Sequence, residues 1–237
     1  MATAEPTERP REQVGGRRLM VAMVRMLLGY VFCLFLPAGT WSWPRGWIYF
    51  AVIVASSMVA LCYLNRVNPR VIAARLTRHQ GTKAWDRWLL IVFFTAVLAI
   101  PIVSALDDGR YHWSGLPWWA SAIGYIVLLA GLAGVTWAES VNPFFEVTVR
   151  IQSDRGQRVV DSGPYARIRH PGYAFGSLYM LGTPPALGSW WGLVPAAVVV
   201  LLLILRTSWE DQTLQAELPG YREYAQRVRH RLLPGVW

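Results

Sequence analysis

The chain has 237 residues, of which 54% are apolar and only 16% charged, with 13 tryptophans and a formal net charge of +9. Soluble domains carry about 25% charged residues, so this composition excludes an ordinary soluble domain, and the apolar content excludes a wholly disordered chain. Because the apolar residues form long unbroken blocks, the sequence predicts an all-α, polytopic helical membrane protein.

Six apolar blocks follow one another along the chain. About 20 residues at a rise of 1.5 Å cross a hydrocarbon core of about 30 Å, and four blocks approach or reach this length: residues 19–38, 47–64, 88–106 and 119–138. The last two blocks, residues 173–187 and 190–205, are shorter and are separated by the dipeptide Gly188-Ser189. We expect these two to form a hairpin that spans the membrane only in part, which gives about six membrane segments.

Lysine and arginine are concentrated in alternate connections between the blocks. They cluster before the first block, in residues 65–87, in residues 139–172 and from Arg206 onward. By the positive-inside rule, these segments and both termini are predicted to face the cytoplasm. Topology and contact with anionic lipid head groups account for the basic charge, so a nucleic-acid partner is not expected.

Several kinds of site are not indicated by the sequence. The four histidines are far apart and have no cysteine or paired carboxylate at ligand spacing, so no metal site is expected. The dinucleotide, P-loop and G-x-S-x-G motifs are absent, and no internal repeat suggests a transporter. Cys33 and Cys62 lie within apolar blocks, where a thiol behaves as a small apolar group.

Unusual polar residues are concentrated in two segments outside the blocks. The first, residues 142–173, contains Gly156, Gly163, Pro164 and Pro171, which interrupt any helix and leave backbone groups in need of partners. A bound polar ligand would supply those partners. The alternative is an interfacial loop whose arginines contact lipid phosphates, and the composition alone leaves both open.

The second segment continues the last apolar block beyond residue 205. If the helix persists, Arg206 and Glu210 lie four residues apart on one face. They form either part of a site or a routine surface ion pair. Leu218-Pro219-Gly220 is predicted to end this helix, and a short amphipathic helix is expected to follow.

Together the two segments resemble the isoprenylcysteine carboxyl methyltransferase family. The pattern is V-x-S-G-P-Y-x-x-x-R-H-P-x-Y in residues 160–173, an apolar hairpin, then R-x-x-x-E-D-x-x-L in residues 206–214, G-Y-x-x-Y and R-L-L-P. Members are integral membrane enzymes that use S-adenosylmethionine, and related phospholipid and thiol methyltransferases share much of this pattern. The resemblance covers roughly residues 140–237 and implies a methyltransferase catalytic region in 139–237, which includes the helical hairpin and the C-terminal segment. The composition and the apolar blocks predict a disordered cytoplasmic tail in 1–18 and a four-helix transmembrane region in 19–138.

The resemblance also implies which residues form the site. S-adenosyl-L-methionine would be bound by Gln157, Arg158, Val159, Val160, Tyr165, His170, Pro171, Gly172, Tyr173 and Glu210. Arg206 would contact the substrate, and Arg206 and Glu210 would be the catalytic residues. Gln152 is a further, upstream candidate for a cofactor contact.

The nature of the methyl acceptor decides what these residues must do. A carboxylate is already ionised at pH 7 and needs a cation to hold it, for which the fork of Arg206 is suited. A thiol or amine instead needs a base, and Glu210 and His170 are the candidates.

The leading hypothesis is O-methylation of a lipophilic, isoprenylcysteine-like or prenyl-linked carboxylate at the membrane surface. Phospholipid N-methylation and thiol S-methylation are alternatives within the same enzyme class. A non-catalytic membrane scaffold or a nicotinamide-dependent membrane reductase is the alternative from another class. The oligomeric state is open, because Gly124, Gly131 and Gly134 permit close helix contacts either within the bundle or between subunits.

Overall fold

The structure, a computed structural model, describes residues 16–76 and 81–237. These residues form eight α-helices and no strand, which confirms the all-α prediction. The helices are α1 (Gly16–Ala38), α2 (Pro44–Val67), α3 (Pro69–Leu76), α4 (Ala84–Ser104), α5 (Trp118–Val141), α6 (Pro171–Ala186), α7 (Leu193–Glu217) and α8 (Tyr221–Arg227). Helix α4 continues as a π-helical segment, Ala105–Tyr111. The predicted disordered tail lies outside the described residues as far as residue 15.

Each of the six predicted apolar blocks is helical. Four helices are long and apolar enough to cross a membrane: α2, α4 with its π-helical extension, α5 and α7. The described apolar part of α1, Leu27–Ala38, is shorter. Helix α6 has 16 residues and therefore reaches about 24 Å, less than the hydrocarbon core of about 30 Å. The protein is a polytopic helical membrane protein in which α6 is the short arm of the predicted hairpin.

Helices α5 and α6 pack with their backbones in close contact. A Cβ atom added at Gly124 would lie 2.3 Å from the backbone nitrogen of Ala186, and one added at Gly131 would lie 2.4 Å from that of Tyr179. Only glycine permits this approach. Two of the glycines that the sequence left unassigned therefore serve packing within the bundle.

The bundle has two ends with different polar chemistry. The cleft end is formed by the first residues of α4 and α6 and the last residues of α5 and α7. The opposite end is formed by the last residues of α1, the first residues of α2 and α5, the π-helical segment and the turn between α6 and α7. That turn contains Gly188 at a positive φ of 83°, a conformation that glycine adopts readily.

Buried polar residues hold the opposite end together. Asp107 has no exposed surface and accepts hydrogen bonds from the backbone nitrogen of Ser114 at 2.8 Å and the hydroxyl of Ser189 at 2.6 Å. Asp108 accepts from the guanidinium of Arg45 and from the Trp43 indole, the latter at 2.7 Å. These bonds connect the π-helical segment to the hairpin turn and to the start of α2.

Candidate functional site

A cleft opens at the cleft end, between the segment that joins α5 to α6 and helices α7 and α8. The cleft is partly open to solvent, and both polar and apolar side chains line it. Nine of the ten residues that the resemblance assigned to the cofactor line it: Gln157, Arg158, Val159, Val160, Tyr165, His170, Gly172, Tyr173 and Glu210. The tenth, Pro171, is buried at the start of α6 and is not part of the wall.

Gln152 lines the cleft and is held by its neighbours. Its side chain donates to the carbonyl of Phe144 at 2.7 Å and accepts from Arg155 at 2.6 Å, while its backbone nitrogen donates to the side-chain oxygen of Gln157 at 2.7 Å. Gln152 is 3% exposed. The sequence suggested Gln152 as a ligand contact. In the structure its amide forms hydrogen bonds that hold the wall of the cleft together.

Glu146 forms a second support for this wall and was not singled out from the sequence. Its carboxylate pairs with Arg150 at 2.9 Å and with Arg155 at 3.0 Å. Arg150 also bridges to Asp154 at 2.6 Å, and this hydrogen bond lowers the pKa of the Asp154 carboxyl. The result is a charged network that fixes residues 146–155 on the outer side of the cleft.

Two tyrosines fix the floor of the cleft against α8. The Tyr224 hydroxyl donates to the carbonyl of Tyr165 at 2.7 Å, and the Tyr165 hydroxyl accepts from Asn142 at 3.0 Å. Burial raises the pKa of both tyrosines above the usual range. Both therefore remain protonated at neutral pH and keep these bonds.

A fully buried carboxylate, Asp211, lies behind His170. Arg169 binds it with two nitrogens at 2.8 and 2.9 Å, and Arg231 binds it at 3.0 Å. The Tyr221 hydroxyl donates to it at 3.1 Å, and the His170 ring lies 3.4 Å away. Asp211 and Arg169 both belong to the patterns that carry the resemblance, yet the sequence gave no reason to pair them.

The C-terminal segment completes the support of His170. The backbone nitrogens of Arg169 and His170 donate to the carbonyls of His230 and Arg231, at 3.0 and 2.9 Å. These bonds, together with the Arg231–Asp211 pair, hold residues 230–231 alongside the turn that precedes α6. The terminal R-L-L-P pattern therefore has a structural role in positioning the turn.

Glu210 stands on α7 at the edge of the cleft and is half-buried. The Tyr173 hydroxyl donates to its Oε2 at 2.5 Å. The rings of His170 and Tyr173 lie parallel with centroids 5.8 Å apart. Among the described residues, no hydrogen bond to Oε1 of Glu210 is present, so this oxygen is available to a ligand.

Arg206 does not line the cleft. It is 4% exposed, and its Nε and Nη2 donate to Asp86 at 2.8 and 3.1 Å. Its guanidinium also lies over the Tyr173 ring, 5.4 Å from the centroid. In the described part of the chain Arg206 pairs with Asp86 and forms no ion pair with Glu210, so the proposed i, i+4 surface pair is absent.

The Asp86–Arg206 pair also fixes the backbone beside the cleft. Nη2 of Arg206 donates to the carbonyl of Val147 at 2.5 Å, and Asp86 accepts from the nitrogen of Val149 at 2.7 Å. The pair therefore fixes the backbone of residues 147–149 through hydrogen bonds made by its side chains. Asp86 precedes Arg206 by 120 positions, and no local pattern in the sequence connects them.

Comparisons with known proteins point to the same region of the chain. Residues 119–218 match the family model described as "Phospholipid methyltransferase". The matched family is one of membrane methyltransferases, and the matched residues include nearly all of α5, most of the cleft wall, α6 and α7. The cobalt-zinc-cadmium resistance protein CzcN of Cupriavidus metallidurans is 30% identical over 160 residues, which cover 65% of this chain and 63% of that protein.

The polar groups of the wall are largely bonded to one another, so the cleft is preorganised. Among residues 16–76 and 81–237, no group of three or more histidine, cysteine, aspartate or glutamate side chains is arranged to hold a metal ion. Glu210, Arg158 and the aromatic rings are among the groups that the wall offers to an organic ligand.

Proposed function

We propose that this protein transfers a methyl group from S-adenosylmethionine to a lipophilic acceptor at the membrane surface. The observation that carries the proposal is the convergence of residues 157–160, the turn at His170 to Tyr173 and Glu210 on one cleft at the end of an apolar bundle. The match of residues 119–218 to a methyltransferase family supports it independently.

The chemistry of the cleft fits this cofactor. Glu210 supplies a carboxylate for the positive sulfonium, and Arg158 supplies a guanidinium for the carboxylate of the methionine part. The rings of Tyr165 and Phe144 offer apolar faces to the adenine. We assign the binding of S-adenosylmethionine to these residues together with Gln157, Val159, Val160, His170, Gly172 and Tyr173.

Methyl transfer needs alignment more than acid–base chemistry. When bound, S-adenosylmethionine supplies an electrophilic methyl group: a lone pair of the acceptor forms the bond to carbon while the carbon–sulfur bond breaks and its electron pair remains on sulfur, giving S-adenosylhomocysteine. The chain orients the acceptor and excludes water, which contributes several kcal/mol toward lowering the barrier. The Tyr173 hydroxyl keeps Glu210 in place for this task.

The charge that α7 presents to the cleft favours an amine as the acceptor. Arg206 is already balanced by Asp86, so the charged group that α7 presents to the cleft is Glu210. A protonated amine must lose a proton before its lone pair attacks, and Glu210 is placed to receive it. We therefore propose a lipophilic amine, such as a phospholipid amine, as the first candidate acceptor.

A lipophilic, isoprenylcysteine-like carboxylate is the second candidate. Its support is Nη1 of Arg206, which makes no hydrogen bond to any described residue. A carboxylate that reached this nitrogen would have to share Arg206 with Asp86. Activity on a carboxylate would therefore require the buried pair to open toward the cleft.

We also propose that the cleft faces the cytoplasm. Exposed arginines lie in the segments that form this end of the protein, including Arg158, Arg167, Arg222 and Arg227, as the positive-inside rule requires of cytoplasmic segments. An acceptor would keep its hydrocarbon chain in the bilayer and present its head group to the cleft, so membrane lipid is the immediate environment of the site.

Transfer of labelled methyl groups in membranes that contain the protein tests this function. The acceptor panel holds one chain length and varies the head group among amine, carboxylate and thiol. We expect labelling with the amine and inhibition by S-adenosylhomocysteine. Labelling of the carboxylate alone would make the carboxylate, and not the amine, the first candidate acceptor. If the protein binds the cofactor but labels none of the three acceptors, catalysis on lipophilic acceptors is contradicted.

A further inference from the structure

Four buried side-chain polar atoms in the described residues have no hydrogen-bond partner. They are Arg45 Nε, Ser121 Oγ, Tyr125 OH and Thr148 Oγ1. The first three belong to α2 and α5, toward the opposite end, whereas Thr148 lines the cleft. Buried hydroxyls almost always find a partner, and an unpaired one is destabilising. At Thr148, a ligand in the cleft is the available partner.

Several threonine hydroxyls in the helices form hydrogen bonds within their own helix. Thr136 donates to the carbonyl of Leu132 at 2.8 Å, and Thr207 donates to that of Leu203 at 2.7 Å. This back-bonding is usual for threonine in helices. Thr148 lies in the non-helical segment between α5 and α6, and its hydroxyl makes no such bond.

The backbone on both sides of Thr148 is fixed. The carbonyl of Val147 is bound by Arg206, and the nitrogen of Val149 is bound to Asp86. The carbonyl of Val149 accepts a further bond from the nitrogen of Lys83 at 3.1 Å. The segment is therefore held in place, and the unpaired hydroxyl is a fixed feature of the wall.

These contacts place Thr148 on the Glu210 side of the cleft. Arg206, which binds the residue before Thr148, precedes Glu210 by one helical turn on α7. Arg206 also lies over the ring of Tyr173, whose hydroxyl binds Glu210. Thr148 and Glu210 are thus connected through Arg206 and Tyr173 on one side of the cleft.

We propose that the Thr148 hydroxyl binds the polar head group of the methyl acceptor and is a determinant of acceptor specificity, a proposal that rests on the proposed function. A hydroxyl can accept one hydrogen bond and donate another. It accepts from an N–H of an amine head group and so orients the lone pair, while Glu210 takes the proton that the amine loses. The cofactor is held by other residues of the wall.

The test compares Thr148→Val, which removes only the hydroxyl, with Thr148→Ser, which retains it. Thr136→Val is the matched control, because its hydroxyl is bonded within a helix. For each purified protein the measurements are the Tm without ligand, the Kd for S-adenosylhomocysteine, and KM and kcat with the amine acceptor of the panel.

We expect Thr148→Val to keep the wild-type Tm or exceed it, since an unpaired buried group is removed. Its Kd for S-adenosylhomocysteine should stay within about twofold of wild type, while kcat/KM for the acceptor falls about tenfold through KM, the effect of one net hydrogen bond. Thr148→Ser should recover most of kcat/KM. Thr136→Val should lower the Tm and leave KM unchanged.

Three results would overturn the proposal. A Tm loss in Thr148→Val as large as that in Thr136→Val would show that the hydroxyl is bonded within the protein. A weaker Kd for S-adenosylhomocysteine would assign Thr148 to the cofactor instead. Unchanged acceptor kinetics would show that the hydroxyl contacts no ligand. Failure of the proposed function would give a different result, because the wild-type protein itself would then bind no S-adenosylhomocysteine. The proposal for Thr148 would fail in that case as well.

Discussion

The two ends of the bundle each contain a fully buried aspartate, but the two carboxylates serve different purposes. At the opposite end, Asp107 receives bonds from Ser114 and Ser189 and joins elements that would otherwise separate. At the cleft end, Asp211 receives bonds from Arg169 and Arg231 and stands behind the wall of a cleft. At the opposite end, Asp107 joins structural elements to one another. At the cleft end, Asp211 supports neighbouring groups that remain available to a ligand.

The largest expected effect is that of removing the charge of Asp211. In Asp211→Asn, Arg169 and Arg231 are left without their carboxylate, and breaking buried pairs of this kind costs about 3–5 kcal/mol. We expect a strongly lowered Tm in detergent and loss of S-adenosylhomocysteine binding, because the turn that carries His170 loses its anchor. Wild-type stability and affinity in this variant would show that the network does not support the cleft.

Glu210→Gln should lower the rate of methyl transfer and leave the stability of the protein nearly unchanged. Glu210 is half-buried and receives one hydrogen bond, from Tyr173, so the substitution should change the Tm little. Loss of the base should lower methyl transfer to the amine by about 100-fold or more.

The matched control for Glu210 is Glu217→Gln on the same helix, where the side chain is 45% exposed and pairs with Lys83. An exposed pair contributes less than about 1 kcal/mol, so this variant should keep wild-type activity and stability. Equal activities in Glu210→Gln and Glu217→Gln would show that Glu210 takes no part in the reaction.

A smaller loss of stability than in Asp211→Asn is expected at the opposite end. Asp107→Asn keeps the shape of the side chain but weakens its bonds to Ser114 and Ser189, which should lower stability by about 1–3 kcal/mol. The Kd for S-adenosylhomocysteine should not change, because the cluster contributes nothing to the cleft wall. A comparable loss of affinity in Asp107→Asn and Asp211→Asn would abolish the distinction between the two ends.

The helices were predictable because each depends on local composition. Apolar blocks of sufficient length give helices, and Leu218-Pro219-Gly220 ends α7 at Glu217, with Gly220 at a positive φ of 79°. The extent of α4 was less predictable, since the apolar block stops at residue 106 while the π-helical segment continues to Tyr111. Bonds to buried Asp107 and half-buried Asp108 stabilise that continuation.

The residues around the cleft were predictable as a group, but the pairings among charged residues were not. The resemblance placed Arg206 at the substrate, whereas the structure pairs it with Asp86. Asp86 lies at the polar start of an apolar block, where a sequence indicates only a surface residue at a helix N-terminus. Its burial results from tertiary packing of α4 against α7, which no local pattern reports.

The same limit applies to Thr148. A threonine between two valines has no distinguishing feature in the sequence, and five of the eight threonines that the structure describes bond to their own helix. Its unpaired hydroxyl becomes visible only when every neighbouring donor and acceptor has been accounted for in three dimensions. Sequence patterns locate the cleft, and the structure identifies which of its polar groups remain available.

The most direct test of the central claim is a calorimetric titration of the purified protein in detergent with S-adenosylhomocysteine, with NADPH titrated in parallel. We predict saturable binding of one S-adenosylhomocysteine per chain, competition by S-adenosylmethionine and no heat of binding with NADPH. Binding of NADPH in place of S-adenosylhomocysteine, or no affinity for S-adenosylhomocysteine in a correctly folded protein, would contradict the assignment of the cleft.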